Sequence, residues 1–249
     1  TYGLITENIP TPYTGNWTNY TLVTDNTWEP GVHVVKLYAN DTSGNLNDTL
    51  PYKTFEMWGR SAVYWTSPTG SVPRGLITIV CRVKDYDTNE GISSYNVEFY
   101  NATDYLGTNT TNATGYAMLT IDTSHYDVGD QTFYCKIVDD TDKYYDATIT
   151  QASQTLTLTG SLNTTIVTPI SGSILERGYT YWLNSTTKDE NNEPVSVSAN
   201  WYVNESFVAS GENVSWTIPI TQTRGLSVVK VNTTANYYTP SEVSVDVYI

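Results

Sequence analysis

One arrangement of residues occurs twice in the chain, at a spacing of about 103 residues. Each copy begins with a Pro/Gly turn, continues through a Lys-Asp dipeptide and closes after a pair of tyrosines. The matching residues are Pro68 and Pro169, Arg74-Gly75 and Arg177-Gly178, Lys84-Asp85 and Lys188-Asp189, and Tyr144-Tyr145 and Tyr237-Tyr238. A repeat of this length is the size of one small domain, so the pattern predicts tandem domains of a single fold. We place them at residues 61–160 and 161–249.

Both copies have the pattern of short β-strands. Apolar and polar residues alternate with a period of two, and turn residues separate the runs. Thr, Tyr and Val are abundant while strong helix formers are scarce, which also favours strands. The pattern predicts an all-β protein made of tandem immunoglobulin-like (Ig-like) antiparallel β-sandwiches. In the first copy the predicted strands are 62–66, 76–84, 95–101, 105–108, 116–121, 132–138 and 146–159. The second copy has no cysteines, so its core must hold by packing alone. We expect Trp182, Trp201 and Trp216 to supply large aromatic area there in a structural role, the alternative being ligand binding.

Residues 1–60 match only the closing strands of such a sandwich, with strand-like runs at 20–24, 31–40 and 52–58. We therefore predict that this segment is the C-terminal half of an Ig-like sandwich. A half sandwich would leave an apolar face in water, which is unfavourable. Either the sequence begins inside a domain, which we favour, or another chain supplies the missing strands. Thr1 is not an initiator methionine, so we expect a processed product or an excised piece.

The two cysteines lie in predicted strands and share faces with apolar residues. Alternation places Cys81 beside Ile79, and Cys135 beside Phe133. Two inward cysteines 54 residues apart fit a disulfide between the sheets of a sandwich. Closing that loop is worth about 4 kcal/mol in the chain-entropy model. The alternative is two separately buried thiols. A disulfide predicts an oxidising compartment.

The chain contains twelve Asn-X-Ser/Thr sequons, whereas chance would place about five beside its 21 Asn, given that Ser and Thr are 61 of 249 residues. The excess predicts N-linked glycans on a secreted or cell-surface protein. The alternative is coincidence in a Thr/Asn-rich β protein. The acceptors are Asn16, Asn19, Asn40, Asn47, Asn101, Asn109, Asn112, Asn163, Asn184, Asn204, Asn213 and Asn232.

Charge and motifs exclude several functions. Acidic residues number 26 against 12 basic ones, and a net charge of −14 argues against binding nucleic acid or anionic lipid. The segment contains no apolar run long enough for a membrane span. We find no catalytic motif, and the two histidines lie in different units. We therefore predict that the segment is not an enzyme.

Two acidic runs predict calcium as the one candidate cofactor. Asp85, Asp87 and Asn89 offer oxygen ligands at alternate positions, as at the opening of a calcium loop. A second run, Asp139-Asp140 with Asp142, follows the strand that contains Cys135. In a sandwich both loops would lie at the end next to residues 1–60. Bound Ca²⁺ would stiffen that junction. The alternative is Asp/Asn turn chemistry in solvated loops.

Part of the sequence resembles a known class of domain. Residues 31–45 look like the closing segment of Ig-like modules in archaeal surface proteins, and residues 97–101 and 111–117 are similar to the bacterial, invasin type of Ig-like domain. Unlike antibody domains, the chain has no Trp a dozen residues after Cys81. The resemblance implies a tandem-domain extracellular protein such as a surface-layer subunit, an adhesin stalk or a filament subunit.

The sequence thus predicts a structural, N-glycosylated segment of an extracellular cell-surface protein that self-associates in a lattice or fibre. The alternative is an adhesin or a carbohydrate-binding accessory module of a larger secreted protein. Such a module would use exposed aromatic side chains such as Trp17, Trp28 or Trp65. A third possibility, an extracellular hydrolase, would need a catalytic domain outside this segment.

Overall fold

The computed structural model describes residues 21–40, 43–102 and 104–249, apart from the side chain of Asn40. These residues form twenty β-strands and no helix, arranged as two β-sandwiches in series. Before them, residues 21–58 contain two nested antiparallel strand pairs, and we call this part the hairpin segment. The prediction of tandem Ig-like β-sandwiches is therefore confirmed. In the described part of the chain, no helix is long and apolar enough to cross a membrane.

The segment before residue 59 forms two small antiparallel sheets. Strand β1 (Gly31–Val35) pairs with β4 (Lys53–Met57), and β2 (Ala39–Asn40) pairs with β3 (Leu46–Asn47). The predicted run 31–40 is interrupted at residues 36–38, which have no ladder partner on β4. The predicted run 20–24 forms no strand over its described residues.

The first sandwich consists of two facing sheets. One has the strand order β10-β7-β5-β12, and the other has β9-β8-β11-β13 with β6 paired to β13. Cys81 on β7 and Cys135 on β11 form a disulfide between the two sheets, with Cα atoms 6.6 Å apart. Phe99 and Phe133 are fully buried beside it. The strands are β5 (Gly59–Ser67), β6 (Gly70–Pro73), β7 (Leu76–Asp85), β8 (Asn96–Asn101), β9 (Asp104–Thr110), β10 (Tyr116–Asp122), β11 (Gly129–Lys136), β12 (Tyr145–Ile149) and the first part of β13 (Gln151–Thr168).

The predicted single strand 146–159 is wrong, because the structure divides it between the two sheets. Strand β12 pairs in parallel with β5, and β13 pairs in antiparallel fashion with β11. The inward positions are odd-numbered up to Ile149 and even-numbered from Ala152, because the alternation shifts by one residue at the exposed polar pair Thr150-Gln151. The chain crosses from one sheet to the other at this shift, so the pattern does contain a sign of the crossing. Strand β6, which is short and contains Gly and Pro, is not among the predicted strands.

Strand β13 belongs to both sandwiches. It is 18 residues long, pairing with β11 as far as Leu158 and with β14 from Leu162 onward. The boundary predicted between residues 160 and 161 falls inside this strand. The chain therefore passes from the first sandwich to the second without a loop.

The second sandwich has the sheets β17-β14-β13-β19 and β16-β15-β18-β20. Trp201 and Trp216 are buried in its core, whereas Trp182 is 61% exposed. Trp182 is not part of the core, because its neighbour Leu183 takes the inward position on β14 and side chains alternate along a strand. The further strands are β14 (Thr180–Asp189), β15 (Ser198–Val203), β16 (Ser206–Ser210), β17 (Asn213–Thr217), β18 (Leu226–Thr234), β19 (Tyr238–Thr239) and β20 (Ser241–Tyr248).

Candidate functional site: the joints between modules

The two sandwiches meet at what we call the second joint, where Gly160 on β13 lies against the tyrosine pair Tyr237-Tyr238. The Gly160 N–H donates to the Tyr237 carbonyl at 2.9 Å, and Gly160 pairs in parallel register with Tyr238. A Cβ atom on residue 160 would lie 2.5 Å from Cε1 of Tyr238. Glycine therefore allows the two modules to approach this closely.

An arginine of the first sandwich is held by two carboxylates of the second. Arg74 donates from Nη2 to Asp189 Oδ2 at 2.8 Å and from Nε to Glu190 Oε1 at 2.7 Å. Its Nη1 donates to the Tyr126 carbonyl of its own sandwich at 3.0 Å, and its guanidinium lies over the Tyr238 ring. The side chains of Arg74 and Asp189 are each only 6% exposed. A buried guanidinium that donates to two carboxylates from fixed positions has strict geometry and therefore fixes relative orientation.

The loop after β14 prepares Asp189 for this contact. Its Oδ1 accepts the backbone N–H groups of Asn191 and Glu193, each at 2.9 Å, which leaves Oδ2 for Arg74. Burial by itself would raise the pKa of Asp189. The hydrogen bonds from Arg74 and from these two amides outweigh burial and hold that pKa below the usual carboxyl value. The carboxylate therefore stays charged at neutral pH.

One further hydrogen bond crosses the second joint, and another lies beside it within the second sandwich. The side-chain amide of Asn191 donates to the Ser124 carbonyl at 2.5 Å, and Glu190 Oε2 accepts the Ser161 N–H at 2.8 Å. The Tyr237 ring also lies close to Gly129. Contacts on several sides of one continuous strand restrict bending in more than one direction.

A first joint, between the hairpin segment and the first sandwich, has the same backbone construction. The Gly59 N–H donates to the Tyr144 carbonyl at 2.8 Å, and Gly59 pairs in parallel register with Tyr145. A Cβ on residue 59 would lie 2.5 Å from Cε1 of Tyr145. Tyr144 and Tyr237 both have positive φ angles, 58° and 65°. Sequence comparison found the tyrosine pairs but not the glycines that they contact, since these are distant in sequence.

Charges are arranged differently at the first joint. Arg60 forms an ion pair with Asp87 and lies over the Tyr86 ring, so that both charges belong to the first sandwich. Their side chains are 52% and 33% exposed. The hydrogen bond from Arg60 lowers the pKa of Asp87. An aromatic contact crosses this joint instead. The rings of Trp58 and Tyr144 pack in a T-shaped arrangement with their centroids 5.6 Å apart.

The residues proposed to bind calcium in the first acidic run have protein partners. Asp85 is buried, and its Oδ1 accepts the N–H groups of Asp87 and Thr88 at 2.9 and 2.8 Å. The Asp87 carboxylate pairs with Arg60. Asn89 Oδ1 accepts from Lys84 Nζ at 2.9 Å. These are the contacts of an Asx-type turn with lysine and arginine counter-charges.

The second acidic run is likewise engaged. Asp139 Oδ1 accepts the Ala147 N–H at 2.8 Å, and Asp140 Oδ1 accepts the Lys143 N–H at 3.1 Å. Asp142 is exposed. Over the residues the structure describes, no three His, Cys, Asp or Glu side chains are grouped as a metal site.

Both acidic runs do reach the first joint, where Tyr145 lies between them. Its backbone pairs with Asp140, and Asp85 lies beside its hydroxyl. Burial, together with the charge of Asp85, raises the pKa of the Tyr145 hydroxyl. Calcium at this joint stays a prediction, and binding would require these carboxylates to exchange their present partners.

The sequon asparagines differ in accessibility. Asn16 and Asn19 lie outside the described residues, as does the side chain of Asn40. Six acceptors are exposed, namely Asn47, Asn109, Asn112, Asn163, Asn204 and Asn213, whereas Asn101, Asn184 and Asn232 are partly buried. The Asn232 Oδ1 atom is buried without a hydrogen-bond partner in the described structure. The accessible acceptors thus occur along both sandwiches and in the hairpin segment.

The aromatic side chains proposed to stack on sugars are mostly engaged. Trp28 is partly buried against His33 and Phe55. Trp65 is also partly buried and donates from Nε1 to the Pro68 carbonyl at 2.7 Å. Trp17 lies outside the described residues. Among the tryptophans of the described residues, Trp182 is the most exposed, at 61%.

No protein-family model and no curated protein sequence matches the chain. Among solved structures, it is similar to fibronectin(III)-like modules of CbhA from Clostridium thermocellum, with 17% identity over 75% of this chain and 93% of that one and a TM-score of 0.33. Immunoglobulin domains 1–4 of Sidekick-1 match with 12% identity over 88% and 67% of the two chains, at a TM-score of 0.45. A CARDB domain from Pyrococcus furiosus matches with 13% identity over 41% and 95%, at 0.31.

Sequence identities and TM-scores this low do not indicate a function. The fold is assigned from the strand order and the packing of the sheets. Ig-like and fibronectin(III)-like sandwiches are generally non-enzymatic binding or structural modules and are common in extracellular proteins.

Proposed function

We propose that the chain is a structural segment of an N-glycosylated extracellular surface protein, such as a surface-layer or filament subunit, in which sandwiches are held end to end as a stiff rod. One observation carries this proposal. At the second joint the buried Arg74 is clamped between Asp189 and Glu190, across a strand that runs unbroken through both sandwiches. A joint that only connects two independent modules would not need a buried charge network.

Residues 1–60 fit the rod as the closing strands of a preceding sandwich. On β1 and β4, Gly31 lies opposite Met57, as Gly129 lies opposite Leu158 in the first sandwich. Gly59 and Gly160 then follow Met57 and Leu158 by two residues. The hairpin segment also exposes apolar side chains, including Leu37 at 52%. An open apolar face is what the missing strands of a sandwich would cover.

Glycans and self-association complete the proposal. Sugars on the exposed asparagines would shield the rod and keep it soluble. Self-association in a lattice or fibre would place many such rods side by side at the cell surface. Electron microscopy of native cell envelopes is the direct test. A soluble, monodisperse full-length protein with no lattice or fibre would contradict the proposal.

Stiffness is tested in solution by small-angle X-ray scattering of the whole chain. The wild-type protein should scatter as one elongated particle of fixed shape. Arg74→Met should broaden the distribution of interatomic distances, because the clamp is lost. Arg224→Met, at an exposed arginine far from the second joint, is the matched control and should leave the scattering unchanged. A wild-type chain that already scatters as two freely hinged modules would overturn the proposal.

Glycosylation is tested by glycopeptide mass spectrometry after expression in a host that performs N-glycosylation. We expect sugar at exposed acceptors such as Asn163 and Asn213, and none at Asn232, which is partly buried and whose Oδ1 atom is inaccessible. If no sequon carries glycan, the proposed glycosylation is wrong, whereas the proposed rod-like arrangement of the sandwiches is unaffected.

One observation favours the second candidate, a carbohydrate-binding or adhesive module of a larger secreted protein. Trp182 exposes 61% of its surface, and Val167 on the adjacent strand is 42% exposed. An exposed indole face can stack on a sugar ring. A glycan array would test this, with Trp182→Ala as the comparison. No binding at millimolar ligand would exclude it.

A further inference from the structure

The far end of the second sandwich repeats the end of the first sandwich that forms the second joint. Arg177 corresponds to Arg74, and each donates from Nη1 to the carbonyl of a tight turn. The acceptor is Tyr126 for Arg74, at 3.0 Å, and Gln222 for Arg177, at 3.3 Å. Arg177 also donates to the Ile220 carbonyl at 2.8 Å. The two arginines are therefore held in the same way by their own sandwiches.

The last strands have the same register in both sandwiches. Gly129 lies opposite Leu158, and Gly225 lies opposite Ile249, with which it exchanges two backbone hydrogen bonds of 2.8 and 3.0 Å. Both glycines have positive φ angles, 108° and 120°. Ile249 therefore occupies the position of Leu158, two residues before the position of Gly160.

The environments of the two arginines differ. Arg74 is covered by the second sandwich, whereas no carboxylate of the described residues forms an ion pair with Arg177. Around Arg177, Ile174 and Ile220 are 79% and 74% exposed. This end thus combines an oriented, unpaired guanidinium with uncovered apolar surface, which is how the first sandwich would look without its neighbour.

From this correspondence we propose that the exposed end of the second sandwich is a docking surface for a further β-sandwich of the same kind. Arg177 would enter an Asp-Glu pair in the loop of that module, as Arg74 does with Asp189 and Glu190. Ile174 and Ile220 would pack at its rim. The inference rests on the end-to-end arrangement of the proposed function and extends it by one joint.

The partner is a separate module rather than a second copy of this chain. In this chain the Asp189–Glu190 pair is already occupied by Arg74, and Asp87 of the first sandwich is occupied by Arg60. Among the described residues, a second copy would therefore offer Arg177 no free carboxylate pair in the loop that corresponds to Asp189-Glu190.

The test is a chain in which residues 159–249 are repeated directly after Ile249. The added copy then continues from Ile249 as Thr159 continues from Leu158. We expect the extended chain to scatter X-rays as one longer rod of fixed shape. Arg177→Met in the original second sandwich, not in the added copy, should remove the charge pair across the new joint. We expect the added copy to be released and the rate of thermolysin cleavage at the new junction to rise by about tenfold.

Two controls separate the outcomes. Asp189→Asn in the added copy alone should reproduce the effect of Arg177→Met, whereas Arg224→Met at the same end should not. If the added copy is hinged freely while the second joint stays fixed, this inference is wrong and the proposed function stands. If both joints are hinged, the proposed function also fails. Dimers of the unextended chain that Ile220→Asp abolishes would overturn the choice of partner.

Discussion

The two joints share a backbone design and differ in what crosses it. In each, a glycine donates to the first residue of a tyrosine pair and leaves no space for a Cβ next to the second tyrosine. At the second joint a buried arginine joins the two modules, whereas at the first joint Arg60 and Asp87 belong to the same sandwich. The glycine and tyrosines thus determine where modules meet, and the charge network determines how strongly their orientation is held.

The largest effect should come from a change that affects both joints together. Replacing Cys81 and Cys135 by alanine removes the disulfide of the first sandwich, which forms one side of each joint. We expect that sandwich to lose about 4 kcal/mol of stability, through loop entropy in the unfolded chain. Urea unfolding followed by hydrogen exchange should show both joints opening with the first sandwich, while the core around Trp201 unfolds separately. Loss of one joint alone would contradict this.

Arg74→Met should separate the joints. It leaves Asp189 buried without its counter-charge, and we expect a loss of about 3 kcal/mol in the coupling of the two sandwiches. Arg60→Met is the matched substitution at the first joint. Because Arg60 is exposed and its partner lies in the same sandwich, we expect it to leave module orientation unchanged. Scattering and two-domain unfolding curves measure both variants, and equal effects would refute the distinction.

Alanine at the two glycines should affect the joints alike. Both Gly59→Ala and Gly160→Ala place a Cβ against a tyrosine ring at 2.5 Å. We expect each to cost about 2 kcal/mol through overpacking. At Gly160 the new methyl group also lies 3.1 Å from the Arg74 guanidinium, so the clamp should loosen as well. NMR shifts of Tyr145 and Tyr238 would show whether each disturbance stays at its own joint.

Acid should weaken only the second joint, and this is the smallest effect. Because the pKa of Asp189 is lowered in the folded state, its contribution is complete above the usual carboxyl pKa of about 4 and is lost as pH falls through the lower folded value. Scattering between pH 6 and pH 2 should show constant stiffness at first and then bending. Asp189→Asn should be flexible throughout and without this acid transition. A transition of equal size in that variant would assign it to another group.

The fold class could be predicted from the sequence because it depends on patterns that extend over only a few residues. Alternation and turn residues predicted most strands, and inward alternation singled out Cys81 and Cys135, which the structure joins. The prediction was wrong where local patterns have two solutions. In the run 146–159 the alternation shifts by one residue at Thr150-Gln151, which fits a bulge in one strand as well as a crossing between sheets. Trp182 was expected to have a structural role, although its neighbour Leu183 takes the inward place.

Local patterns also failed to predict the contacts of the candidate site. The repeat in the sequence identified Arg74 as part of a repeated turn and Asp189 as part of a repeated Lys-Asp dipeptide. Nothing in either motif indicates that they meet, since 115 residues separate them. Only the packing of one sandwich on the other brings them together.

The sequence by itself therefore determined what each module is, because strand periodicity and turn chemistry act over a few residues. The tertiary structure decided how the modules are joined and which charges are paired. Those contacts depend on a strand that passes through both sandwiches and on a glycine that lets their surfaces approach. Both are properties of packing between distant segments, and no short pattern encodes them.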